Sequence, residues 1–201
     1  MYTKLPIGTH QPGLIVILID QSGSMNHKFT GKQSKAEFAA LAVNRCIYEI
    51  LKACESGMKR KDRCHIAIVG YGGDYAPEAA AKLLVHGKPT DLDAKATYGV
   101  MKLTTKQVDN AGGLVDVVFE LPQWVKAEAH DGTPMAEAFS EATTIVAEWI
   151  KNYPSNFPPI VINITDGAPD SKPDAKLQAQ ELQQLKTGDG KEYTPEMWKV
   201  I

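Results

Sequence analysis

Long hydrophobic runs are absent from this sequence of 201 residues. The longest run that is apolar at every position covers residues 14–19, far below the roughly 18–20 residues that a helix needs to cross a bilayer. The first six residues, MYTKLP, show no basic segment leading into a long apolar segment, so no secretory signal is expected. These absences predict a cytoplasmic protein with no membrane partner.

An excess of charge of one sign is also absent. Lys and Arg number 22, Asp and Glu number 24, and the formal net charge at pH 7 is -2. Because proteins dedicated to binding nucleic acid are usually basic, we expect no nucleic-acid partner. Hydrophobic residues make up 43% of the chain and charged residues 23%, which is near the globular average and excludes disorder of the whole chain.

Cysteine is scarce, and its spacing matches no metal motif. The three cysteines are Cys46, Cys54 and Cys64, so they cannot all pair within the chain, and no Cys-x-x-Cys motif occurs. Cys46 and Cys54 lie eight residues apart on a predicted helix and therefore share a face. We expect reduced cysteines in the core of a cytosolic protein.

The sequence predicts four strands, near residues 14–19, 65–71, 114–121 and 160–164. The first and last are apolar at nearly every position, which is typical of parallel strands covered by helices on both faces. Residues 114–121 alternate more loosely and could form an edge strand. Residues 72–113 are rich in glycine, and we expect a long excursion with helical turns near residues 77–84.

Helical periodicity predicts three helices, from Ser34 to about Gly57, over residues 134–151 and over residues 174–186. Ser34 and Glu37 have the spacing of a capping box at the start of the first helix. The early order of strand, helix and strand is a βαβ unit. The chain is therefore predicted to be α/β, with a Rossmann-like, mostly parallel sheet and helices on both faces.

Polar residues cluster where the predicted strands stop. Asp20, Ser22 and Ser24 follow the first strand, Thr133 precedes a helix, and Asp166 follows the last strand. The carboxyl ends of parallel strands form one rim of a sheet, where ligands bind. Two carboxylates and several hydroxyls at one point suit a hard divalent cation such as Mg²⁺. These five residues are the predicted metal site.

The order of these three loops resembles the metal-ion-dependent adhesion site of von Willebrand factor type A domains. The matching pieces are Asp20-x-Ser22-x-Ser24, Thr133 in a Gly-Thr-Pro loop and Asp166 in a Thr-Asp-Gly loop. The resemblance implies a Mg²⁺ or Mn²⁺ ion held by the serines and the threonine, with the aspartates acting mainly through water. It also implies an open coordination position that accepts an acidic residue from a protein partner.

The resemblance carries further expectations about the chain as a whole. Residues 1–201 would form a single domain with its core at about 12–190 and a divergent tail at 191–201. The family's sheet usually has six strands, but this sequence shows four, so we expect the fifth strand, the last helix and the sixth strand to be absent, partly because Pro195 stands where the next strand would run. The strand at 160–164 would then be an edge, and we expect it to be covered by the tail, a second copy or a partner.

The expected function is that of a metal-dependent protein-interaction module. Among family members the chain is similar to bacterial intracellular proteins of the tellurite-resistance and stress type, which implies a stress, defence or signalling complex. No enzymatic activity is expected, since the sequence contains neither a Gly-x-Ser-x-Gly nucleophile elbow nor a phosphate-binding loop. A metal-dependent hydrolase or phosphatase is the alternative, because a bound metal can activate water.

Overall fold

The computed structural model describes residues 7–73, 80–92, 95–109 and 112–187, and the backbone of residues 198–200. The helices are α1 (Lys35–Ala53), α2 (Pro89–Leu92), α3 (Met135–Asn152) and α4 (Lys172–Gln183), with a short 3₁₀ helix at Gly23–Asn26. The strands are β1 (Gly13–Asp20), β2 (Lys28–Thr30), β3 (Gln33–Ser34), β4 (Glu55–Ser56), β5 (Lys59–Arg60), β6 (Cys64–Tyr71), β7 (Ala81–Gly87), β8 (Val100–Val108), β9 (Leu114–Pro122), β10 (Ile160–Ile164) and β11 (Trp198–Val200).

The main sheet has five strands in the order β11-β10-β1-β6-β7. Strand β1 is parallel to both of its neighbours, and Ile17 pairs with Ile162 on one side and with Ile68 on the other. Strand β11 is parallel to β10, whereas β7 is antiparallel to β6. The predicted strands at 14–19, 65–71 and 160–164 are thus present, and β1 lies in the middle of the sheet.

Alternate residues of β1 pack against different layers of helix. Ile17 and Ile19 lie in one buried cluster with the apolar face of α1. Leu14, Val16 and Leu18 lie in a second buried cluster with the apolar faces of α3 and α4. This two-sided burial explains why the strand is apolar at successive positions.

The starts of the helices follow the local sequence. The Ser34 hydroxyl accepts a hydrogen bond from the Glu37 backbone N–H, and the Glu37 carboxylate accepts one from the Ser34 backbone N–H, so the predicted capping box is confirmed. Helix α4 begins after Ser171, whose hydroxyl accepts from the Asp174 backbone N–H. None of the helices in the described ranges combines the length and the apolarity needed to cross a membrane.

The predicted Rossmann-like, mostly parallel fold is wrong for the described chain, in which antiparallel pairings outnumber parallel ones by four to three. Three of its four sheets are two-stranded hairpins, formed by β2 with β3, β4 with β5 and β8 with β9. Gly31 and Gly57 adopt positive φ in the two-residue connections of the two short hairpins. Such short turns allow only antiparallel pairing, whereas a parallel pair needs a long crossover.

Two further corrections concern the middle of the chain. The strand predicted at 114–121 does not join the main sheet, because β9 pairs along its whole length with β8. The helical turns predicted near residues 77–84 are wrong at residues 81–84, which belong to β7 and pair with β6. Residues 77–79 of that prediction lie outside the described residues.

The end of the chain corrects the prediction that no strand follows β10. Strand β11 pairs in parallel with β10, in a register that places Trp198 beside Ile162 and Val200 beside Ile164. Of the three expected ways of covering the β10 edge, the chain's own tail is therefore the one observed. Pro195, which motivated the prediction, lies outside the described residues. Cover by a second copy or a partner subunit stays a prediction.

Candidate functional site

The parallel pairing of β1 with β10 brings two of the predicted loops together. Ile19 pairs with Ile164, so Asp20 at the end of β1 lies beside Thr165, the first residue after β10. A parallel bridge between Ser22 and His130 adds the third loop, which leads into α3. The three polar segments thus meet at one rim of the sheet, as expected for the two loops that follow strands, and the loop before α3 joins them there.

Asp20 is buried at the centre of this rim and is 1% exposed. Its Oδ1 accepts a hydrogen bond of 2.8 Å from the Ser22 backbone N–H, and its Oδ2 accepts one of 2.6 Å from the Thr165 hydroxyl. Beneath it, burial raises the pKa of Tyr71 and the Asp20 charge raises it further. The donors to Asp20 are neutral, so its negative charge is balanced by no ion pair within the described structure.

A line of short polar contacts runs from Ser22 to the loop that follows β10. The Ser22 and Ser24 hydroxyl oxygens are 3.0 Å apart, and the Ser24 hydroxyl donates to Asp166 Oδ1 over 2.7 Å. Lys35 Nζ lies 2.5 Å from the other oxygen, Asp166 Oδ2. Burial by itself would raise the pKa of Asp166, but the hydrogen bonds from Lys35 and Ser24 outweigh it and leave that pKa below its ordinary value.

Lys35 is a member of the site that the sequence analysis missed. It is the first residue of α1, and its ammonium points to Asp166. A cation at a helix N-terminus is disfavoured by the helix dipole, so a lysine at this position needs a compensating anion. That unfavourable placement was the one signal in the sequence that could have identified it.

The loop that carries Thr133 packs against the serine loop through its backbone. The His130 N–H donates to the Gln21 carbonyl over 2.6 Å, and an added Cβ on Gly23 would lie 3.3 Å from the His130 carbonyl oxygen. The Thr133 N–H donates to Asp170 Oδ2 over 2.7 Å. Among the described hydrogen bonds, none joins the Thr133 hydroxyl to Ser22 or Ser24. The structure therefore connects four of the five predicted residues directly and places Thr133 in the adjoining loop.

Two glycines of the β6 end allow the serine loop to approach the sheet. The Gln21 N–H donates to the Tyr71 carbonyl over 2.7 Å, which holds the loop against the strand. A Cβ on Gly72 would overlap the Gln21 backbone carbonyl, and a Cβ on Gly70 would overlap the Gln21 side chain. Any larger residue at Gly72 would push the serine loop away from the rim. The sequence analysis did not identify this role.

The donors at the rim are oxygen atoms of carboxylates and hydroxyls. In the described part of the chain, no group of three or more His, Cys, Asp or Glu side chains is placed to hold a metal ion. The rim instead offers two carboxylates, Asp20 and Asp166, with the neutral hydroxyls of Ser22 and Ser24 between them. Oxygen donors of this kind suit Mg²⁺ or Mn²⁺ that keeps several water ligands, and they suit soft metals poorly.

Comparison with known proteins gives structural likeness only. No family model matches the chain, and no curated protein matches it. The pilus adhesin RrgA from Streptococcus pneumoniae is similar over 79% of this chain and 21% of its own, with 18% identity and a TM-score of 0.42. The adhesive tip pilin GBS104 from group B Streptococcus agalactiae is similar over 79% of this chain and 47% of its own, with 17% identity and a TM-score of 0.42. The chain thus spans less than half of either structure.

These comparisons correct the family and the function expected from the motif. No family model and no curated protein supports membership of the von Willebrand factor type A family or of its tellurite-resistance subtype, and the two similar structures are described as pilus proteins. The predicted membership, its tellurite-resistance subtype and the predicted intracellular metal-dependent interaction module are therefore withdrawn. None of these comparisons tests the hydrolase alternative.

Several expectations are not tested by these findings and stay predictions. They are a single domain over residues 1–201, a cytoplasmic location, no enzymatic activity, a protein partner with an acidic residue, and no nucleic-acid or membrane partner. The metal and its five ligand-bearing residues are likewise untested.

Proposed function

We propose that the rim binds one hard divalent cation, Mg²⁺ or Mn²⁺. The hydroxyls of Ser22, Ser24 and Thr133 would be direct ligands, and Asp20 and Asp166 would act mainly through water. The observation that carries this proposal is the convergence of the two carboxylates on the paired serine hydroxyls, which are 3.0 Å apart. Oxygen donors that converge in this way are the ligands that such a cation prefers.

The charge of the cluster supports a cation. Asp20 and Asp166 carry two negative charges, and Lys35 is the one cation bonded to them among the described contacts. One negative charge is thus left at a rim where Asp20 is almost fully buried. Burying an unbalanced carboxylate is costly, and a bound divalent cation would remove that cost.

Lys35 supports the proposal in a second way, because its ammonium marks a position that favours positive charge. The ammonium lies 2.5 Å from Asp166 Oδ2, while Ser24 contacts the other oxygen of the same carboxylate. A metal reached by both Ser24 and Asp166 would therefore lie close to the ammonium. Lys35 would compete with the metal for Asp166 and repel it, and so would set its affinity.

When bound, the cation would act as a Lewis acid that holds a water molecule or an anionic oxygen. Neutral hydroxyl ligands such as Ser22 and Ser24 leave more positive charge on a metal than carboxylate ligands would. The residues of the chain hold the site in shape: Asp20 fixes the serine loop through the Ser22 N–H, and Thr165 joins that carboxylate to the β10 end.

Direct binding of Mn²⁺ tests the proposal. Titration followed by the electron paramagnetic resonance of free Mn²⁺ should show one bound ion, displaced by excess Mg²⁺. Ser24→Ala and Asp166→Asn should weaken binding at least tenfold, whereas Ser56→Ala, an exposed serine on β4, should leave it unchanged. At 100 times the dissociation constant, the metal should stabilise the fold by about 2.7 kcal/mol.

Lys35→Met provides the sharpest variant, because it should bind Mn²⁺ more tightly than the unmodified protein. No binding at millimolar Mn²⁺ by the wild type and by Lys35→Met would contradict the proposal. Equal binding by Ser24→Ala and by the wild type would contradict the assigned ligands.

A further inference from the structure

An apolar cavity of about 310 Å³ lies beside the rim, between α1 and β10. It is lined mostly by apolar side chains, which include Phe38 and Ala42 of α1 and Ile162 and Ile164 of β10. This volume and this lining are typical of sites that bind a small molecule. The cation proposed above accounts for the rim but not for the cavity.

The shape and the surface of the cavity suit an elongated apolar molecule. Its lining follows α1 from Lys35 to Cys46, over which the helix rises about 16 Å. Phe29 and Phe38, which also line it, pack with their ring centroids 4.7 Å apart and are 48% and 41% exposed. Because covering exposed apolar surface is favourable, a linear alkyl chain along α1 would be stabilised here.

The cavity has charged residues where it meets the rim. Of the described residues that line it, Lys35 and Asp166 are the charged ones. Lys35 is the more accessible, since 30% of its side chain is exposed against 11% for Asp166. An ammonium has three N–H donors, and the described contacts use one of them, in the bond to Asp166. This end of the cavity therefore offers donors to an anionic acceptor such as a carboxylate.

The charge of the rim decides when a carboxylate can bind there. Asp20, Asp166 and Lys35 together leave one net negative charge, which repels an anion. With a divalent cation at the rim, the net charge of the same groups becomes positive. A carboxylate bound to Lys35 would also draw the ammonium from Asp166 and so reduce its competition with the cation. The cation and the carboxylate should therefore strengthen each other's binding by the same factor.

We propose that the cavity binds a fatty acid of medium chain length, with its alkyl chain between α1 and β10 and its carboxylate on Lys35. The proposal rests on the proposed function, because the cation at the rim provides the charge that an anionic ligand needs. Lys35 is then the residue that couples the two sites, since its ammonium contacts Asp166 and lines the cavity.

Binding of Mn²⁺ to the full chain in the presence of decanoate tests the proposal. Decanoate, added below the concentration at which it forms micelles, should lower the Mn²⁺ dissociation constant about tenfold, as measured by electron paramagnetic resonance. Excess Mn²⁺ should strengthen decanoate binding by the same factor in isothermal titration calorimetry. Acetate, which has the carboxylate without the chain, and 1-decanol, which has the chain without the charge, should leave Mn²⁺ binding unchanged.

Matched variants separate the cavity from the rim. Ala42→Trp, at an exposed position that lines the cavity, should fill the cavity and abolish the effect of decanoate while leaving Mn²⁺ binding unchanged. Ala147→Trp, at an exposed position of α3, should respond to decanoate like the wild type. Lys35→Met should bind Mn²⁺ tightly but without any response to decanoate.

The outcomes distinguish this proposal from the proposed function. If the wild type binds Mn²⁺ and decanoate leaves that affinity unchanged or weakens it, the fatty-acid proposal is wrong and the metal site stands. An undiminished response to decanoate in Ala42→Trp would likewise refute the cavity as the binding site. Absence of Mn²⁺ binding in both the wild type and Lys35→Met would refute both proposals.

Discussion

Strand β1 and the β8–β9 hairpin are built from strands of similar length but stay folded for different reasons. Seven of the eight residues of β1 are buried, and helices cover both of its faces. In the hairpin, β8 has no buried residue and β9 has one, Leu121. Strands of this chain are therefore stabilised in one of two ways: by burial on both faces, as in β1, or mainly by pairing with a neighbouring strand, as in β8 and β9.

The hairpin is attached to the body at one end. Phe119 lies 6.0 Å from Tyr48 of α1, measured between ring centroids. Past the end of β9, the Asn44 side chain of α1 accepts hydrogen bonds from the backbone N–H groups of Trp124 and Val125 and donates to the Val125 carbonyl. Towards its tip the strands are held by complete backbone pairing, as far as Val108 and Leu114.

The same difference explains which strands could be predicted. Burial on both faces leaves a continuous apolar run, so β1 and β6 are visible in the sequence, and β10 shows a similar run although one of its faces is only half-buried. The β8–β9 pairing depends on a partner strand and on the turn that contains Gly112 and Gly113, so the run at 114–121 was predicted without its partner. Strand β7 was misjudged because Ala, Lys and Leu favour a helix, and pairing with β6 overrides that preference.

The site could be predicted where it depended on strand ends and not where it depended on packing. Asp20, Ser22 and Asp166 follow directly from the ends of β1 and β10. Gly72 acts through a close approach of the Gln21 backbone, which no local pattern records, and Lys35 is indicated only by its unfavourable position at the start of a helix. The sequence analysis expects the Thr133 hydroxyl beside the serines. In the structure, the contacts between the Thr133 loop and the serine loop are made by backbone atoms.

The largest loss of stability is expected from a substitution in β1, the strand that is buried on both faces. Leu18 is fully buried among side chains of α3 and α4, so Leu18→Ala should leave a cavity and lower the free energy of unfolding by about 3 kcal/mol. Urea denaturation followed by circular dichroism measures the change. A loss below 1 kcal/mol would show that the two-sided core is not the main source of stability.

A smaller effect is expected where the hairpin joins the body. Asn44→Ala removes the side-chain acceptor and donor that pair with the buried backbone groups of Trp124 and Val125. The substitution should lower the free energy of unfolding by about 2 kcal/mol. Hydrogen exchange should quicken at the Trp124 and Val125 amides more than in β1. The exposed Asn152 offers a matched control, since Asn152→Ala should change neither quantity. Uniform acceleration throughout the chain would mean that Asn44 stabilises the whole fold rather than this junction.

The smallest loss of stability is expected from a substitution at the tip of the β8–β9 hairpin, where a second Leu→Ala substitution can be made. Leu114 is 69% exposed and pairs with Val108. Leu114→Ala therefore removes little buried surface and should change the free energy of unfolding by less than about 0.5 kcal/mol. The two substitutions, Leu18→Ala and Leu114→Ala, delete the same atoms from a paired strand, so the ratio of their effects isolates burial from strand pairing. A loss at Leu114 comparable with that at Leu18 would show that the exposed face of the hairpin is covered in solution.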